Sequence, residues 1–285
     1  MRVLLIGATG FIGRHVRDRA VADGVEVVTA SRSAGMDLSS AEATARRVRE
    51  LAPDAVVNCA GVTQGDPAAM VAGNVVAVAH LVAAVAGRGI RLVHLGSAAE
   101  YGDTPVGAST TEDTAPRPVG AYGITKLGGT ELIRAAVADG LDAVALRVFN
   151  PVGPGSPVSS LAGRLVSELR GAGGDVQVGS LDAHRDLVDV RDVAGAIVAA
   201  AYAPGPLPPV LNVGSGRATQ LRELVSSLVL ISGSERRVVE ATDGSAGIPW
   251  SQADLTAIRQ ALGWNPVTDL TTSLWDLWED RVCLR

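Results

Sequence analysis

The chain has 285 residues, 25 basic and 30 acidic side chains, and a formal charge of −5, which removes the electrostatic case for a nucleic-acid partner. Apolar residues make up 47% and charged residues 19%, which excludes a disordered polymer and leaves ample material for a core. Of the 25 basic residues a single one, Lys126, is lysine; Leu127 follows it, which excludes a phosphate loop ending in Lys-Ser or Lys-Thr.

In chain order, the apolar run 2–6 reads as a buried strand and 11–22 as a helix behind a glycine turn. Strands follow over 25–30, 54–58, 91–95 and 142–148. Helices over 39–51, 67–87 and 120–139 separate them. Strands that are apolar along their whole length, alternating with helices, predict an α/β fold: a Rossmann-type doubly wound parallel sheet covered on both faces. From Pro151 the pattern loosens and Gly and Pro multiply, as in Asn150-Pro-Val-Gly-Pro-Gly-Ser-Pro157 and Ala203-Pro-Gly-Pro-Leu-Pro-Pro209. The predicted organisation is a dinucleotide-binding domain over 1–150, with a strand and helix within 186–203 returning to its sheet. A smaller substrate-binding part covers 151–185 and 204–285. All four tryptophans (Trp250, Trp264, Trp275, Trp278) lie in the last 36 residues, which gives that part either a packing role of its own or a stacking surface.

Cys59 and Cys283 form neither a disulfide framework nor a thiolate zinc site, and the four histidines show no His-x-x-x-His spacing, so no metal is expected. No run of 18 residues is purely apolar and the N-terminus enters a strand at once. The expectation is a cytoplasmic protein with no membrane span and no signal peptide.

Gly7-Ala-Thr-Gly10-Phe-Ile-Gly13 follows the first strand and opens the first helix. Glycines at this spacing allow a tight turn, the approach of a pyrophosphate to a helix N-terminus, and close packing of helix on sheet. The tip of the second strand sets the cofactor: a carboxylate there bonds a ribose 2′-OH and repels a 2′-phosphate. Here the tip reads Thr29-Ala-Ser31-Arg32-Ser33, with a hydroxyl and a guanidinium and no carboxylate. That favours NADP(H), with NAD(H) also admissible.

Tyr122-Gly-Ile-Thr-Lys126 opens a helix, and residues four apart share a face with Cβ atoms about 6 Å apart. A phenol titrates near pH 10, so bringing it to neutrality takes roughly 4 kcal/mol of preferential phenolate stabilisation, which a nearby ammonium and a cationic nicotinamide can supply. Ser97 ends the strand 91–95 in Gly96-Ser-Ala-Ala-Glu-Tyr-Gly102, where ligands bind in a parallel sheet.

Taken together these residues resemble the extended short-chain dehydrogenases/reductases, in their nucleotide-sugar branch. Further motifs carry the likeness: Asn58-Cys-Ala-Gly61, Asn74-Val, Leu146-Arg-Val-Phe-Asn-Pro-Val-Gly-Pro-Gly155, Arg185-Asp-Leu-Val-Asp-Val-Arg-Asp-Val193, Leu211-Asn-Val-Gly-Ser-Gly216 and Leu262-Gly-Trp-Asn-Pro266. The segments 96–102 and 178–192 look most like GDP-4-dehydro-6-deoxymannose reductases. The resemblance implies catalysis by Ser97, Tyr122 and Lys126. It places the cofactor on Gly7, Thr9, Gly10, Phe11, Ile12 and Gly13, then on Ser31, Arg32, Asp37 and Leu38. Cys59, Ala60, Gly61 and Phe149 join Tyr122 and Lys126 around the nicotinamide. Ser97, Ala98, Asn150 and Arg185 fall to the substrate, and a homodimer built on helices 67–87 and 120–139 is expected.

Two departures sharpen the reading. Ala98 and Ala99 stand where related dehydratases carry acids, which argues against elimination. Relatives that bind diphosphates place an arginine shortly before the position of Asp254, whereas 242–253 holds no basic residue; a diphosphate then falls to Arg185, with Arg236 and Arg237 as further candidates. The expected activity is NADPH-dependent reduction of a nucleoside-diphosphate 4-keto-6-deoxy sugar with Tyr122 as proton donor. A nucleotide-sugar 4-epimerase, a ketoreductase of a non-nucleotide natural product and a non-catalytic cofactor sensor are the alternatives.

Overall fold

A computed structural model of the chain describes residues 1–30, 36–240 and 247–280. Six parallel strands form the main sheet in the order β2 (Glu26–Ala30), β1 (Arg2–Ile6), β3 (Ala55–Asn58), β4 (Arg91–Ser97), β5 (Ala143–Val148) and β9 (Val210–Val213). The chain leaves β1 to one side for β2 and crosses back to the other for β3. A crevice therefore opens at the carboxyl ends of β1 and β3, where open sheets bind ligands.

The strands are apolar because both faces are covered. One face packs on α1 (Phe11–Ala22) and α7 (Val190–Tyr202), with Leu5, Val93, Leu146, Val193 and Ile197 inside. The other packs on α2 (Ala41–Leu51), α4 (Ala77–Val85) and α5 (Ala121–Ala138), around Leu4, Val56, Leu81, Leu92 and Ile133. Each such fully buried side chain contributes about 1.5–3 kcal/mol. Ser40 caps α2 by accepting the Ala43 N–H at 3.2 Å.

The predicted helix 67–87 is interrupted. α3 (Pro67–Val71) and α4 are joined by one π turn, Ala72–Val76. The inserted residue turns Asn74 inward, 1% exposed, where its amide spans the Val62 N–H and carbonyl, each at 2.8 Å, and bonds Thr125 Oγ1 at 3.0 Å.

The strand expected near 187 belongs to a different sheet. β8 (His184–Asp189) lies between β6 (Asn150–Val152) and β10 (Ala218–Gln220), while β9, assigned above to the substrate-binding part, completes the main sheet beside β5. The partners of β8 explain its place: Asp186 and Asp189 bond Ser215, Gly216, Ala253 and Ser273, all in the C-terminal segments. Two further strands, β7 (Val176–Val178) and β11 (Val238–Glu240), pair in parallel. A third apolar cluster unites α6 (Leu161–Arg170), α8 (Leu221–Ser232) and α10 (Leu270–Glu279). Of the tryptophans, Trp264 is core and Trp275 is exposed; Trp250 stacks on His184 at 5.0 Å and Trp278 lies beneath the Arg170 guanidinium.

Three buried carboxylates on β8 and the first turn of α7 hold the C-terminal segments. Asp186 accepts from Ser215 N and Oγ (2.6 and 2.7 Å), Gly216 N (3.0 Å) and Ala253 N (2.9 Å). Asp189 binds Arg191 and Ser273, and Asp192 accepts from Val267 N and Thr268 N ahead of α10. Asp186→Ala strands four donors, one buried and three half-buried, and is expected to lower stability by roughly 3 kcal/mol, read as a fall in the urea midpoint at unchanged slope.

Candidate functional site

The site is built on the glycine turn at the crevice. Gly7 adopts φ +79°, and a Cβ there would lie 2.8 Å from both the Ala60 nitrogen and the Cys59 carbonyl carbon. A Cβ on Gly13 would collide with the Gly7 carbonyl oxygen, so this glycine brings α1 down onto its own turn. Gly10 opens α1 with extended backbone, and no side chain caps the helix; its first N–H groups face outward as anion donors.

Two cavities flank this turn. The first, about 630 Å³, is walled by Gly7, Thr9, Leu38, Ala60 and Gly61, which the sequence assigned to the cofactor, and also by Arg17, Ala30, Met36 and Gly73. Its size suits an adenosine. Arg17 was not foreseen, although it stands one helical turn past Gly13. Asp37 is not among these walls; its carboxylate accepts from Ser39 N and Oγ and shapes the turn instead. Ser31 and Arg32 lie outside the described residues.

The second cavity, about 160 Å³, gathers Ile12, Cys59, Ala60, Gly61, Asn74, Ser97, Tyr122, Lys126, Phe149 and Pro151. Gly10 and Phe11 lie on the chain between Thr9, in the first, and Ile12, in the second. Asn74 and Pro151 had no assigned role; a single amide inside an apolar helix was the signal for the first. Lys126 is 5% exposed, and its Nζ donates to the Leu95 carbonyl. Burial holds its ammonium down, to about 8, against the Glu100 carboxylate and the Cys59 thiol, which favour the charge. Burial likewise pushes the Cys59 thiol up to about 12.

A third cavity, about 290 Å³, continues from the second. Ser97, Tyr122, Val148, Phe149 and Pro151 line both, and Ala98, Asn150, Arg185, Ile248 and Ser251 close its far side. The Ser97 and Tyr122 side chains meet at the junction, where the Ser97 hydroxyl faces the phenol. The phenol lies above its ordinary range, because burial raises it and Glu100 adds to this, with the Ser97 hydroxyl opposing. Among the protein's own groups desolvation outweighs what favours the phenolate; the depression argued from the sequence calls on a cationic nicotinamide as well as Lys126.

Asn150 donates to the Asp186 carbonyl at 3.0 Å, tying β6 to β8 at the cavity wall. Arg185 bonds the His184 carbonyl and has no ion pair among the described residues, so its half-buried guanidinium faces the third cavity uncompensated. Of the two further candidates for a diphosphate, Arg236 is consumed by the Gly174, Gly171 and Glu168 carbonyls at the foot of α6, and Arg237 is exposed and lines none of the three cavities.

The residues fit a dinucleotide: a glycine cradle that a Cβ at Gly7 or Gly13 would fill, an adenosine-sized cavity on one side and Lys126 with Tyr122 on the other. The chain is 40% identical to the dTDP-6-deoxy-L-talose 4-dehydrogenase (NAD(P)(+)) of Kitasatospora kifunensis, over 97% of this chain and 94% of that one. It is 27% identical to the GDP-6-deoxy-D-mannose reductase of Pseudomonas aeruginosa, over 99% and 98%. The solved structure of RMD from Pseudomonas aeruginosa complexed with NADPH superposes with a TM-score of 0.86 at 26% identity, covering 98% of both chains. Residues 3–214 match the model of the NAD dependent epimerase/dehydratase family, and the chain is an enzyme that belongs to it.

Proposed function

We propose that the protein is an NADPH-dependent ketoreductase that reduces the 4-keto group of a nucleoside-diphosphate 6-deoxy sugar. The observation that carries this reading is the pair of hydroxyls, Ser97 and Tyr122, at the junction of the second and third cavities. A nicotinamide held in the second cavity supplies hydride to the carbonyl carbon. Ser97 bonds the carbonyl oxygen, and Tyr122 gives that oxygen its proton. A phenol raised by burial is protonated at neutral pH, the state a reduction needs in its donor. Lys126 holds the ribose hydroxyls and stabilises the phenolate that forms. Arg185 meets the diphosphate, while Ala98 and Ala99 offer no acid for elimination. Arg17, in the wall of the adenosine cavity, supports the NADP preference argued from Arg32.

Residues 1–150 with α7 then form the cofactor side, and 151–185 with most of 204–285 the substrate side. The relatives support the substrate class, since the names of both the dehydrogenase and the reductase carry a 6-deoxy sugar on a nucleoside diphosphate. With NADPH and a dTDP- or GDP-linked 4-keto-6-deoxyhexose, one cofactor is expected to be oxidised per sugar reduced. Interconversion of 4-epimers without net oxidation would overturn the reading in favour of an epimerase. Tyr122→Phe should lower kcat by about 10²- to 10³-fold with the same substrate.

Lys126 carries a second prediction, in stability. Its folded pKa lies below the ordinary 10.5, so between about 8 and 10.5 the unfolded chain binds a proton that the folded chain does not. Stability therefore falls as pH drops through that window, and the full cost, on the order of 3 kcal/mol, is present below it. Lys126→Met should raise the urea midpoint of the cofactor-free protein at pH 7, lose that advantage towards pH 10, and lose turnover at both.

Exposed apolar side chains on two helices support a homodimer. Val71, Val76 and Ile124 are 45%, 39% and 56% exposed on α3, the π turn and α5, although the run Pro67–Val85 is apolar throughout apart from Asn74 and His80. Light scattering should give twice the 29.1 kDa chain mass, and Val76→Arg with Ile124→Arg should halve it.

A further inference from the structure

We propose that Glu100 is a positioning residue for the reaction, whose carboxylate clamps the Ser97 turn onto the face of α5 that carries Tyr122 and Lys126. The inference rests on the role given to Ser97 and Tyr122 above.

The clamp is visible atom by atom. Glu100 is fully buried, and its Oε1 accepts the Ser97 backbone N–H at 2.8 Å and the Thr130 hydroxyl at 3.0 Å. Thr130 stands four residues beyond Lys126 and eight beyond Tyr122, so all three share one stripe of α5. One carboxylate oxygen thus spans the end of β4 and the helix bearing the phenol. The Ser97 side chain closes the turn from the other side by accepting the Ala99 N–H at 3.2 Å. Its torsion is fixed by that bond, and the phenol of Tyr122 completes its surroundings.

The second oxygen, Oε2, pairs with Arg147 Nε at 2.7 Å, and Arg147 is 1% exposed. This pairing turns the carboxylate edge-on so that Oε1 reaches both donors. Gly96 makes room: a Cβ there would lie 2.8 Å from Glu100 Oε1, 3.1 Å from Thr130 Oγ1 and 3.3 Å from Arg147 Cγ. A buried pair of charges is a costly way to hold a turn, and apolar residues of similar volume pack as well or better. What the apolar alternative cannot do is accept two hydrogen bonds that fix a serine relative to a tyrosine on another element. A misplacement of about 1 Å at a reacting group costs about 100-fold in rate.

Removing one charge alone would leave its partner buried and unpaired, so the test changes both. Glu100→Gln with Arg147→Met keeps the acceptor oxygen, whereas Glu100→Met with Arg147→Met removes it at matched charge and similar volume. Two readouts are taken. Hydrogen–deuterium exchange over 95–101 reads the turn without substrate; kcat, KM and the NADPH dissociation constant read the site. The Gln variant is expected within about threefold of the natural protein in exchange and kcat. The Met variant is expected to exchange Ser97 at least tenfold faster and to lose about 100-fold in kcat, with NADPH affinity within about threefold. Equal exchange in the two variants, or an equal kcat, overturns the proposal. If the natural protein itself does not reduce the ketone, the functional reading fails, and the exchange comparison still decides the clamp.

Discussion

The ion pair between Glu100 and Arg147 is the constraint around which the cleft is organised. Arg147 stands on β5 directly across from Gly96 on β4, so the missing side chain at Gly96 is what lets an acid and a base meet inside the sheet layer. Charges in so dry a place are costly unless hydrogen-bonded, and here the Arg147 Nη1 is left without a hydrogen-bond partner. Glu100 is satisfied through Ser97 and Thr130. The Arg147 guanidinium lies over the Tyr101 ring at 4.5 Å, and the Tyr101 hydroxyl, which burial pushes up to about 12, donates to Asn212. Asn212 in turn bonds the Thr110 carbonyl, and Thr110 pairs with the strand-like stretch at Gln252 to Asp254, next to Ser251 in the cavity wall. The two sides of the cleft are therefore joined by polar bonds that run beneath the reacting groups.

The stretch from Arg185 to Asp192 shows how one charged segment divides its work. Its three aspartates face inward and fasten the loops and helices that follow; Arg191 is bound up with Asp189 and Asp276. Arg185, the first residue of the run, is the exception, with a backbone carbonyl for company and a guanidinium left to the cavity. A motif dense in charge is thus mostly scaffolding, and the residue to watch is the one whose charge the fold does not neutralise.

The main sheet was legible because its inner strands are buried on both faces and are mostly apolar, with Asn58, His94 and Arg147 as isolated polar residues in them. β9 escaped because Pro and Gly crowd the residues before it, although its four residues are as buried as the others. β8 was misplaced for the opposite reason: its polar residues satisfy one another and the loops, a pattern that strand periodicity does not report. The helices of the C-terminal part fold on one another around Leu165, Leu228 and Leu274, contacts far apart in the chain, so nothing local announces them. At the site, Gly7, Gly13, Tyr122 and Lys126 carry their geometry in their spacing. Arg17, Ile248 and Ser251 enter the walls only through tertiary placement, and the π turn that aims Asn74 costs the sequence no visible irregularity.

The solitary lysine has a consequence outside the reaction itself. Every other side-chain cation is a guanidinium, which acylating reagents leave alone. Amine-directed chemistry therefore has two addresses on this chain: the α-amino group at the surface, and an ammonium whose acidity, near 8, leaves an appreciable neutral fraction at physiological pH. The second is reached only through the cleft. The degree of acylation at Lys126 is thus a measure of how open that cleft is, and the outer surface can be modified at one defined point without touching the interior.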